Sequence, residues 1–271
     1  MFGDLPSGAG LSSSASLEVL IGFIMRDLYG FDVTNVDLAL IGQQAEHEFC
    51  GVNCGIMDQF AVAMGKKDHA LLLNTKTLDY EYIPITLCGV KLIIANSNKK
   101  HKLGESKYNE RREECETALK EISQAIGIHA LCDLDEKTWN LYQVTVKDDD
   151  RKRRVKHAVT ENARTKQAAA ALKNGELKTF GELMKASHQS LSEDYEVTGD
   201  EMDALAEAAW QQDGVLGSRM TGGGFGGSTI SLVEENFVDE FIQETGRIYT
   251  EKTGLSADFY VVEIGDGPVV Q

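Results

Sequence analysis

The sequence has no long apolar run and is short of positive charge. No window approaches about 18 consecutive apolar residues, the length that a transmembrane helix requires. Lys and Arg together number 27 against 43 Asp and Glu, so the 271 residues carry a formal net charge of −16. A field of this sign repels phosphate backbones and anionic membrane surfaces. We therefore expect neither a nucleic-acid nor a membrane partner, and any bound anion must be held locally by backbone amides or a metal ion.

Cysteine is also scarce. The sequence has five cysteines: Cys50, Cys54, Cys88, Cys115 and Cys132. A set this small favours free thiols in a reducing compartment. No basic region followed by an apolar stretch opens the sequence, so we expect a cytoplasmic protein. His47 lies near Cys50 and Cys54, but the spacing is not CxxC and no second pair exists. The pattern therefore argues against a zinc site.

The first third of the sequence predicts two helices and a hairpin. Apolar residues recur at i, i+3, i+4 and i+7 over residues 17–28, which predicts a helix that buries this face: Leu17, Leu20, Ile21, Ile24 and Leu28. A second helix is predicted over residues 35–48. A turn-rich segment then carries Asp58, and residues 69–74 and 79–83 read as two strands of a hairpin.

The remainder predicts a ferredoxin-like α/β sandwich. Strands are expected at residues 90–96, 215–220, 228–233 and 259–264, with helices at 106–126, 158–174, 177–191, 200–212 and 236–253. This order is the split βαβ arrangement with helices inserted after the first strand. The charge run 148–156 is interpreted as a solvated loop or helix start. Pro84 lies near the change of pattern, so we place two domains at 1–85 and 86–271.

The segment GAGLSSSAS, residues 8–16, places glycines and three serines directly before a helix. The first amides of a helix lack internal partners and lie at the positive end of its dipole, so they can bind a phosphate. A serine N-cap is the alternative, although it explains one serine rather than three with two flanking glycines. The segment lacks the lysine of a Walker A motif. We call residues 8–14 the serine loop.

A second glycine cluster, TGGGFGG, spans residues 221–227 and is called the glycine loop. It contains G-x-G-x-x-G at Gly222, Gly224 and Gly227, but a β-branched strand follows where the dinucleotide fingerprint requires a helix. Two interpretations remain open: close backbone packing, or a flexible loop over a ligand.

Asp58 stands in NCGIMDQF with Gly55 before it. A single aspartate in a turn is most often solvated or a cap. With aromatic and apolar residues around it, it is also a candidate catalytic carboxylate.

Taken together, PSGAGLSSSA, CGIMDQF and SRMTGGGFGG resemble, in this order, the GHMP small-molecule kinases. ANSNKKHKLGESKYNERREEC and LMKASHQSLSEDYEVT resemble the galactose-phosphorylating branch of that family, and the resemblance spans residues 3–262. It implies an α+β fold with two domains: the remainder of an amino-terminal GHMP kinase domain, then the carboxy-terminal sandwich. The implied enzyme is a kinase that phosphorylates the C1 hydroxyl of D-galactose with ATP, in galactose metabolism.

The resemblance also implies roles for individual residues. The serine loop would hold the ATP phosphates through Gly8, Ala9, Gly10, Leu11, Ser12, Ser13 and Ser14. Ser14 and Glu46 would bind Mg²⁺, and Asp58 would be the catalytic residue beside the sugar C1 hydroxyl. Gly55 and Tyr108 would contact galactose together with Asp58. The glycine loop would close over the active site and brace the serine loop, through Gly222, Gly223, Gly224, Gly226 and Gly227. We further expect a monomer.

One family segment has no counterpart in this sequence. The family's galactose kinases usually begin with a segment like GRVNLIGEHTDYNGG, which supplies an arginine beside the catalytic aspartate and several sugar ligands. The resemblance therefore implies a chain lacking roughly its first third. We expect the first helix to expose a face, the stability to be marginal, and turnover by this chain alone to be little or none. A family segment fused upstream should restore turnover.

Other functions remain open at this point. A related sugar kinase would phosphorylate N-acetylgalactosamine or galacturonate. A non-catalytic galactose and ATP sensor, or a nonfunctional gene fragment, would lack activity. Mevalonate and homoserine kinases fit NCGIMDQF and SKYNERR less well.

Overall fold

The structure is a computed structural model and describes residues 10–99 and 104–270. Its amino-terminal unit comprises helices α1 (Ser13–Tyr29), α2 (Asn35–Ala45) and α3 (Met57–Met64), followed by strands β1 (His69–Leu73) and β2 (Tyr80–Pro84). The two strands pair antiparallel, which confirms the predicted hairpin. The three helices pack around a small apolar core: Val19, Ala39, Ile56, Phe60 and Ala63.

The carboxy-terminal unit is a four-stranded antiparallel sheet with helices inserted after its first strand. In chain order its elements are β3 (Val90–Asn96), α4 (Gly104–Ser123), α5 (Glu136–Tyr142), α6 (Asp149–Lys173), α7 (Leu177–Ser190), α8 (Asp200–Trp210), β4 (Val215–Met220), β5 (Ser228–Glu234), α9 (Val238–Thr253) and β6 (Asp258–Val262). The spatial order β4-β5-β3-β6 is that of a ferredoxin-like sheet, so the predicted fold is confirmed. The exact domain boundary stays a prediction.

Two wide turns of π-helix extend helices at their carboxyl ends. Residues Glu46–Cys50 follow α2, and residues Leu191–Tyr195 follow α7. Such turns occur mostly as single bulges and often at functional sites. Both contribute side chains to the cavity described below.

The prediction of which face of α1 is buried is wrong. Ala15 and Val19 are the buried residues of this helix, and they face α2 and α3. The stripe predicted to be buried is between 37% and 70% exposed: Leu17, Leu20, Ile21, Ile24 and Leu28. The periodicity is real, but within the described residues the core is built on the other, small-residue side. The separate expectation that α1 exposes a face, which came from the missing family segment, is confirmed.

Of the two interpretations of residues 148–156, the helix start is confirmed, whereas the run is only partly solvated. Asp148 caps α6 by accepting a hydrogen bond from the amide of Arg151 at 2.9 Å, so the helix begins at Asp149 rather than near residue 158. Arg154, in the middle of the run, is 1% exposed. Charged residues that are paired inside the protein have the same sequence signature as a solvated face. The short helix α5 was not predicted.

The carboxyl end of the chain returns to the amino-terminal unit. The amide of Gly267 donates to the carbonyl of Gly65 at 2.8 Å, and the amide of Lys67 donates to the carboxylate of Asp266 at 2.8 Å. These bonds connect the two units beyond the hairpin. Within the described residues, no helix has both the length and the apolar character needed to cross a bilayer.

Candidate active site

A cavity of about 850 Å³ lies between the two units. The amino-terminal unit contributes the serine loop, the first turn of α3 and Glu46, and the carboxy-terminal unit contributes Tyr108, the π-turn after α7 and the glycine loop. The lining residues are Gly10, Leu11, Ser12, Ser13, Ser14, Ala15, Glu46, Val52, Cys54, Gly55, Met57, Asp58, Gln59, Tyr108, Leu191, Tyr195, Val197, Met220, Gly222, Gly223, Gly224 and Phe225. All three motifs singled out in the sequence therefore meet at one cavity.

The serine loop presents backbone rather than an N-cap. Gly10 and Ser12 adopt left-handed conformations with φ of 68° and 54°, and α1 begins at Ser13. The side chain of Ser12 makes no capping hydrogen bond, so the N-cap explanation is wrong. The first amides of α1 are left to bind an anion, and a non-glycine residue at positive φ is a strain typical of functional loops. Gly8 and Ala9 lie outside the described residues.

The glycine loop packs directly behind the serine loop. A Cβ on Gly10 would lie 3.3 Å from the Cα of Gly227, and one on Gly222 would lie 3.1 Å from the carbonyl oxygen of Gly10. Gly224 has φ of 85°, and a Cβ there would overlap the carbonyl oxygen of Val197. Gly226 is buried, while Gly223 is exposed above the cavity. The glycines permit close backbone packing, which is one of the two interpretations left open by the sequence.

Ser14 lies between two carboxylates. Its hydroxyl is within hydrogen-bond distance of Glu46 and, at 3.1 Å, of Glu18 one turn further along α1. Gln59 donates from Nε2 to Glu18 at 3.2 Å. Burial raises the pKa of Glu18, and the charge of Glu46 raises it further. Among the described residues, no lysine or arginine forms an ion pair with either glutamate.

Sequence reasoning missed Glu18 and Gln59. The i, i+4 spacing from Ser14 to Glu18 was a usable signal, because such residues share a face of a helix. Gln59 is adjacent to Asp58 but is buried, and its Oε1 has no hydrogen-bond partner. An unsatisfied buried acceptor at the cavity wall is the kind of atom that a ligand or water satisfies.

The oxygen donors of this group suit Mg²⁺. Ser14, Glu46 and Glu18 offer hard oxygen ligands, and Mg²⁺ is usually held by one or two carboxylates together with substrate phosphates and water. No group of three His, Cys, Asp or Glu among the described residues is arranged as a complete metal centre. The donors fit an ion that arrives with a phosphate ligand.

Asp58 lies in the first turn of α3 rather than in an irregular turn, and it is half-buried rather than exposed. Burial raises the pKa of its carboxyl above the ordinary value, and the negative charge of Glu46 acts in the same direction. A hydrogen bond from the hydroxyl of Ser12 opposes this shift. The carboxylate therefore stands beside the serine loop, where it can orient a hydroxyl group and accept its proton.

Helix α4 closes the side of the cavity near Asp58. The amide of Gly55 donates to the hydroxyl of Tyr108 at 3.4 Å, and the amide of Asn53 donates to the side chain of Asn109 at 3.3 Å. Gly55, Asp58 and Tyr108 all line the cavity on this side. Their individual roles stay predictions.

An apolar wall faces the serine loop and was not predicted. Leu191, Val197 and Met220 belong to one buried cluster, with Tyr195 and Phe225 packed against it. All five line the cavity. The π-turn that carries Leu191 and Tyr195 has no distinctive sequence signal, which is why the wall was missed.

Comparisons with known proteins agree with this geometry. The family model of the GHMP kinases N terminal domain matches residues 1–66, and that of the GHMP kinases C terminal matches residues 168–247. A galactokinase of Ligilactobacillus salivarius is 52% identical over 268 residues, which make up 99% of this chain and 69% of that protein. A galactokinase of Bacillus subtilis is 51% identical over 265 residues, or 98% of this chain and 68% of that protein.

Solved structures give the same result. The crystal structure of Lactococcus lactis galactokinase complexed with galactose matches with a TM-score of 0.95 at 46% identity, covering 98% of this chain and 68% of that one. A mevalonate kinase of L. major matches with a TM-score of 0.58 at 16% identity and shares the fold alone. This chain thus spans slightly more than two thirds of each galactokinase named above. The chain belongs to the GHMP kinases and, within them, to the galactokinase family.

Proposed function

We propose that this protein transfers the γ-phosphoryl group of ATP to the C1 hydroxyl of D-galactose, giving galactose 1-phosphate and ADP. The observation that carries the proposal is the position of Asp58, whose carboxylate shares one cavity with the amides of Gly10–Ser14. The galactokinase family of the relatives and the galactose bound in the Lactococcus lactis crystal structure support the choice of sugar.

The serine loop is the proposed site of the triphosphate. Phosphoryl transfer depends mainly on alignment and on neutralising charge, and this protein carries a net charge of −16. The amides at the start of α1 and the serine hydroxyls supply fixed positive dipoles where the anion would sit. Ser14 and Glu46 would hold Mg²⁺, which when bound neutralises charge on the β- and γ-phosphates.

Asp58 is the proposed catalytic residue. In the proposed reaction it orients the C1 hydroxyl toward the γ-phosphate and accepts its proton. A carboxyl with a raised pKa is a better proton acceptor than an ordinary aspartate, so the half-buried position favours this role. Gly55 and Tyr108 would hold the sugar ring against Asp58, and the glycine loop would keep the serine loop in place.

The test is galactose-dependent release of ADP from Mg·ATP, measured on two preparations. One is this chain. The other is an extended chain, which carries at its amino end the segment of the Lactococcus lactis galactokinase that the resemblance places before the serine loop. N-acetylgalactosamine and galacturonate serve as comparison sugars. We expect galactose to be preferred, with turnover in the extended chain. Two folded preparations that release no ADP with galactose would overturn the proposal.

We also propose that the enzyme acts as a cytoplasmic monomer. A net charge of −16 disfavours self-association by repulsion. Light scattering during size-exclusion chromatography would give the mass directly, and a stable dimer would contradict this part of the proposal.

A further inference from the structure

The charged start of α6 contains one buried arginine, Arg154, while Arg153 is partly exposed and Lys156 is exposed. Arg154 makes three hydrogen bonds at once, and each goes to a different residue. Its Nε donates to Glu114 at 2.7 Å, its Nη1 donates to the carbonyl of Asp194 at 2.7 Å, and its Nη2 donates to Glu196 at 2.6 Å. A buried guanidinium is tolerated only when its donors are satisfied in this way.

Three neighbours of Arg154 bind the same segment. Arg153 donates to the carboxylate of Glu196 at 3.0 Å, and Lys156 donates to that of Asp194 at 2.8 Å. His157 forms a hydrogen bond with Ser190 at 2.9 Å, and its ring stacks on Tyr195 with the ring centroids 4.6 Å apart. We call these four α6 residues the clamp: Arg153, Arg154, Lys156 and His157. Helix α4 adds a bond from Arg111 to the carbonyl of Tyr195 at 3.0 Å.

The segment that the clamp holds forms part of the apolar wall of the cavity. Tyr195 and Val197 line the cavity, and Glu196 between them has a left-handed φ of 54°. A glutamate at positive φ is strained, and such a conformation persists only where its surroundings fix it. Arg153 and Arg154 of the clamp both donate to the carboxylate of Glu196 and so help to fix its backbone conformation.

The wall in turn holds the glycine loop. The carbonyl of Val197 accepts a hydrogen bond from the amide of Phe225 at 2.6 Å, and it occupies the space that a Cβ on Gly224 would need. Gly222 and Gly227 of the same loop lie against Gly10 of the serine loop. A continuous series of contacts therefore runs from Arg154 through Val197 and the glycine loop to the serine loop.

We infer that Arg154 is a positioning residue for the nucleotide site. It touches neither the cavity nor the reacting groups, but it fixes the backbone of Asp194–Val197 and so the glycine loop that supports the serine loop. The inference rests on the proposed function in so far as the serine loop binds nucleotide. A lysine in its place keeps the charge but cannot donate in three directions from a planar group.

The test compares Arg154→Lys with Arg112→Lys, a matched control whose arginine forms an exposed pair with Glu116 on α4. Hydrogen exchange of the amides in residues 221–227 is measured against that of the sheet strand β3. Affinity for Mg·ADP is measured by calorimetry well below the unfolding temperature. For Arg154→Lys we expect exchange in the glycine loop to rise about tenfold relative to β3 and Mg·ADP affinity to fall about tenfold, as expected when a charged hydrogen bond is lost. The control should match the unmodified protein.

Unchanged protection of the glycine loop in folded Arg154→Lys would overturn the inference. So would a uniform rise in exchange across the molecule, because that result indicates a purely structural role. Glu196→Gln removes the charge at the other end of the same bond and provides the comparison should Arg154→Lys not fold. An unmodified protein that binds no Mg·ADP would count against the proposed function, while the exchange experiment would still decide the role of Arg154.

Discussion

At the level of single residues, the carboxylates of the candidate site differ in their neighbours. Asp58 is half-buried beside Ser12, whereas Glu18 and Glu46 share Ser14 and have no described cation partner. The first arrangement suits proton transfer from a sugar hydroxyl, and the second suits a metal ion. Asp58 and Glu18 therefore lead to different predictions.

Replacing Asp58 with asparagine should abolish the reaction without removing the site. The side-chain amide of the Asp58→Asn variant would keep the shape but accept no proton, so we expect turnover by the extended chain to fall about a thousandfold, within the range of a lost general base. Galactose binding, measured by calorimetry, should persist. Glu48→Gln, at an exposed residue outside the cavity lining, is the control. Turnover within a few-fold of the unmodified enzyme would remove Asp58 from the chemistry.

Replacing Glu18 with glutamine should weaken metal binding. Glu18 contacts Ser14 and Gln59 and so helps to orient the proposed metal ligands. Loss of such a supporting group typically costs about ten- to a hundredfold in metal affinity. Binding of Mn²⁺ in the presence of ADP, followed by electron paramagnetic resonance, measures this without turnover. The Glu48→Gln variant should bind Mn²⁺ normally, and equal affinity in both variants would contradict the prediction.

His157 should make stability depend on pH. Burial lowers its pKa from 6.5 to about 4, so between these values the unfolded chain binds more protons than the folded one. The stabilisation is present above pH 6.5 and is lost as the pH falls toward 4, which amounts to about 2 kcal/mol by pH 5. Urea unfolding at pH 7 and pH 5 measures it.

The comparison uses His157→Gln, which stays neutral and keeps a hydrogen-bonding side chain. Its loss of stability between pH 7 and pH 5 should be smaller than that of the unmodified protein by about 2 kcal/mol. His129→Gln, at an exposed histidine, is the matched control variant. Parallel pH profiles for His157→Gln and the unmodified protein would disprove the assignment.

At the scale of elements, the two loops act as one unit. Gly224→Ala should disturb that unit, since the new Cβ would overlap the carbonyl of Val197 and the residue has φ of 85°. We expect a loss of about 2 to 4 kcal/mol in the free energy of unfolding, from overpacking and the left-handed backbone together. Weaker Mg·ADP binding should accompany it.

Gly223→Ala is the matched control within the same loop. Its Cβ would meet only the ring of Tyr108 at 3.5 Å, which is ordinary van der Waals contact. This variant should lose little stability in urea unfolding. Equal effects of the two substitutions would show that the loop does not pack as described.

Much of the element order could be predicted from the sequence. Alternating and helical apolar patterns located the hairpin, the four strands of the sheet and most helices, because those elements pack one face against a core. The pattern failed at α1, where both sides of the helix carry apolar residues and only Ala15 and Val19 are buried. At residues 148–156 it allowed the helix start that the structure confirms, but it gave no sign of the buried Arg154, since no local signal separates a paired, buried arginine from a solvated one.

Some residues of the candidate site could likewise be predicted from the sequence, and others could not. Glycine-rich segments leave a direct mark on the sequence, so Gly10 and Gly224 could be found, whereas the sequence left Asp58 open until the family resemblance implied its role. The apolar wall and the clamp could not, because Val197 and Arg154 gain their roles only through contacts between distant segments, 40 residues apart for Arg154 and Asp194.

At the scale of the whole molecule, the site exists only where the two units meet. The serine loop and Asp58 belong to the amino-terminal unit, while the glycine loop and the apolar wall belong to the carboxy-terminal unit. Binding of substrates between units is common for sites of this size. The bonds of the returning carboxyl end, at Gly65 and Lys67, help to fix the distance between the two halves.

A crystal structure of this chain with Mg²⁺, a non-hydrolysable ATP analogue and galactose would show directly whether the three motifs form one kinase site. We expect the triphosphate against the amides of residues 10–14, with the sugar C1 hydroxyl between the γ-phosphate and the carboxylate of Asp58. A triphosphate bound elsewhere, or an Asp58 carboxylate out of reach of a hydroxyl that faces the γ-phosphate, would contradict this expectation.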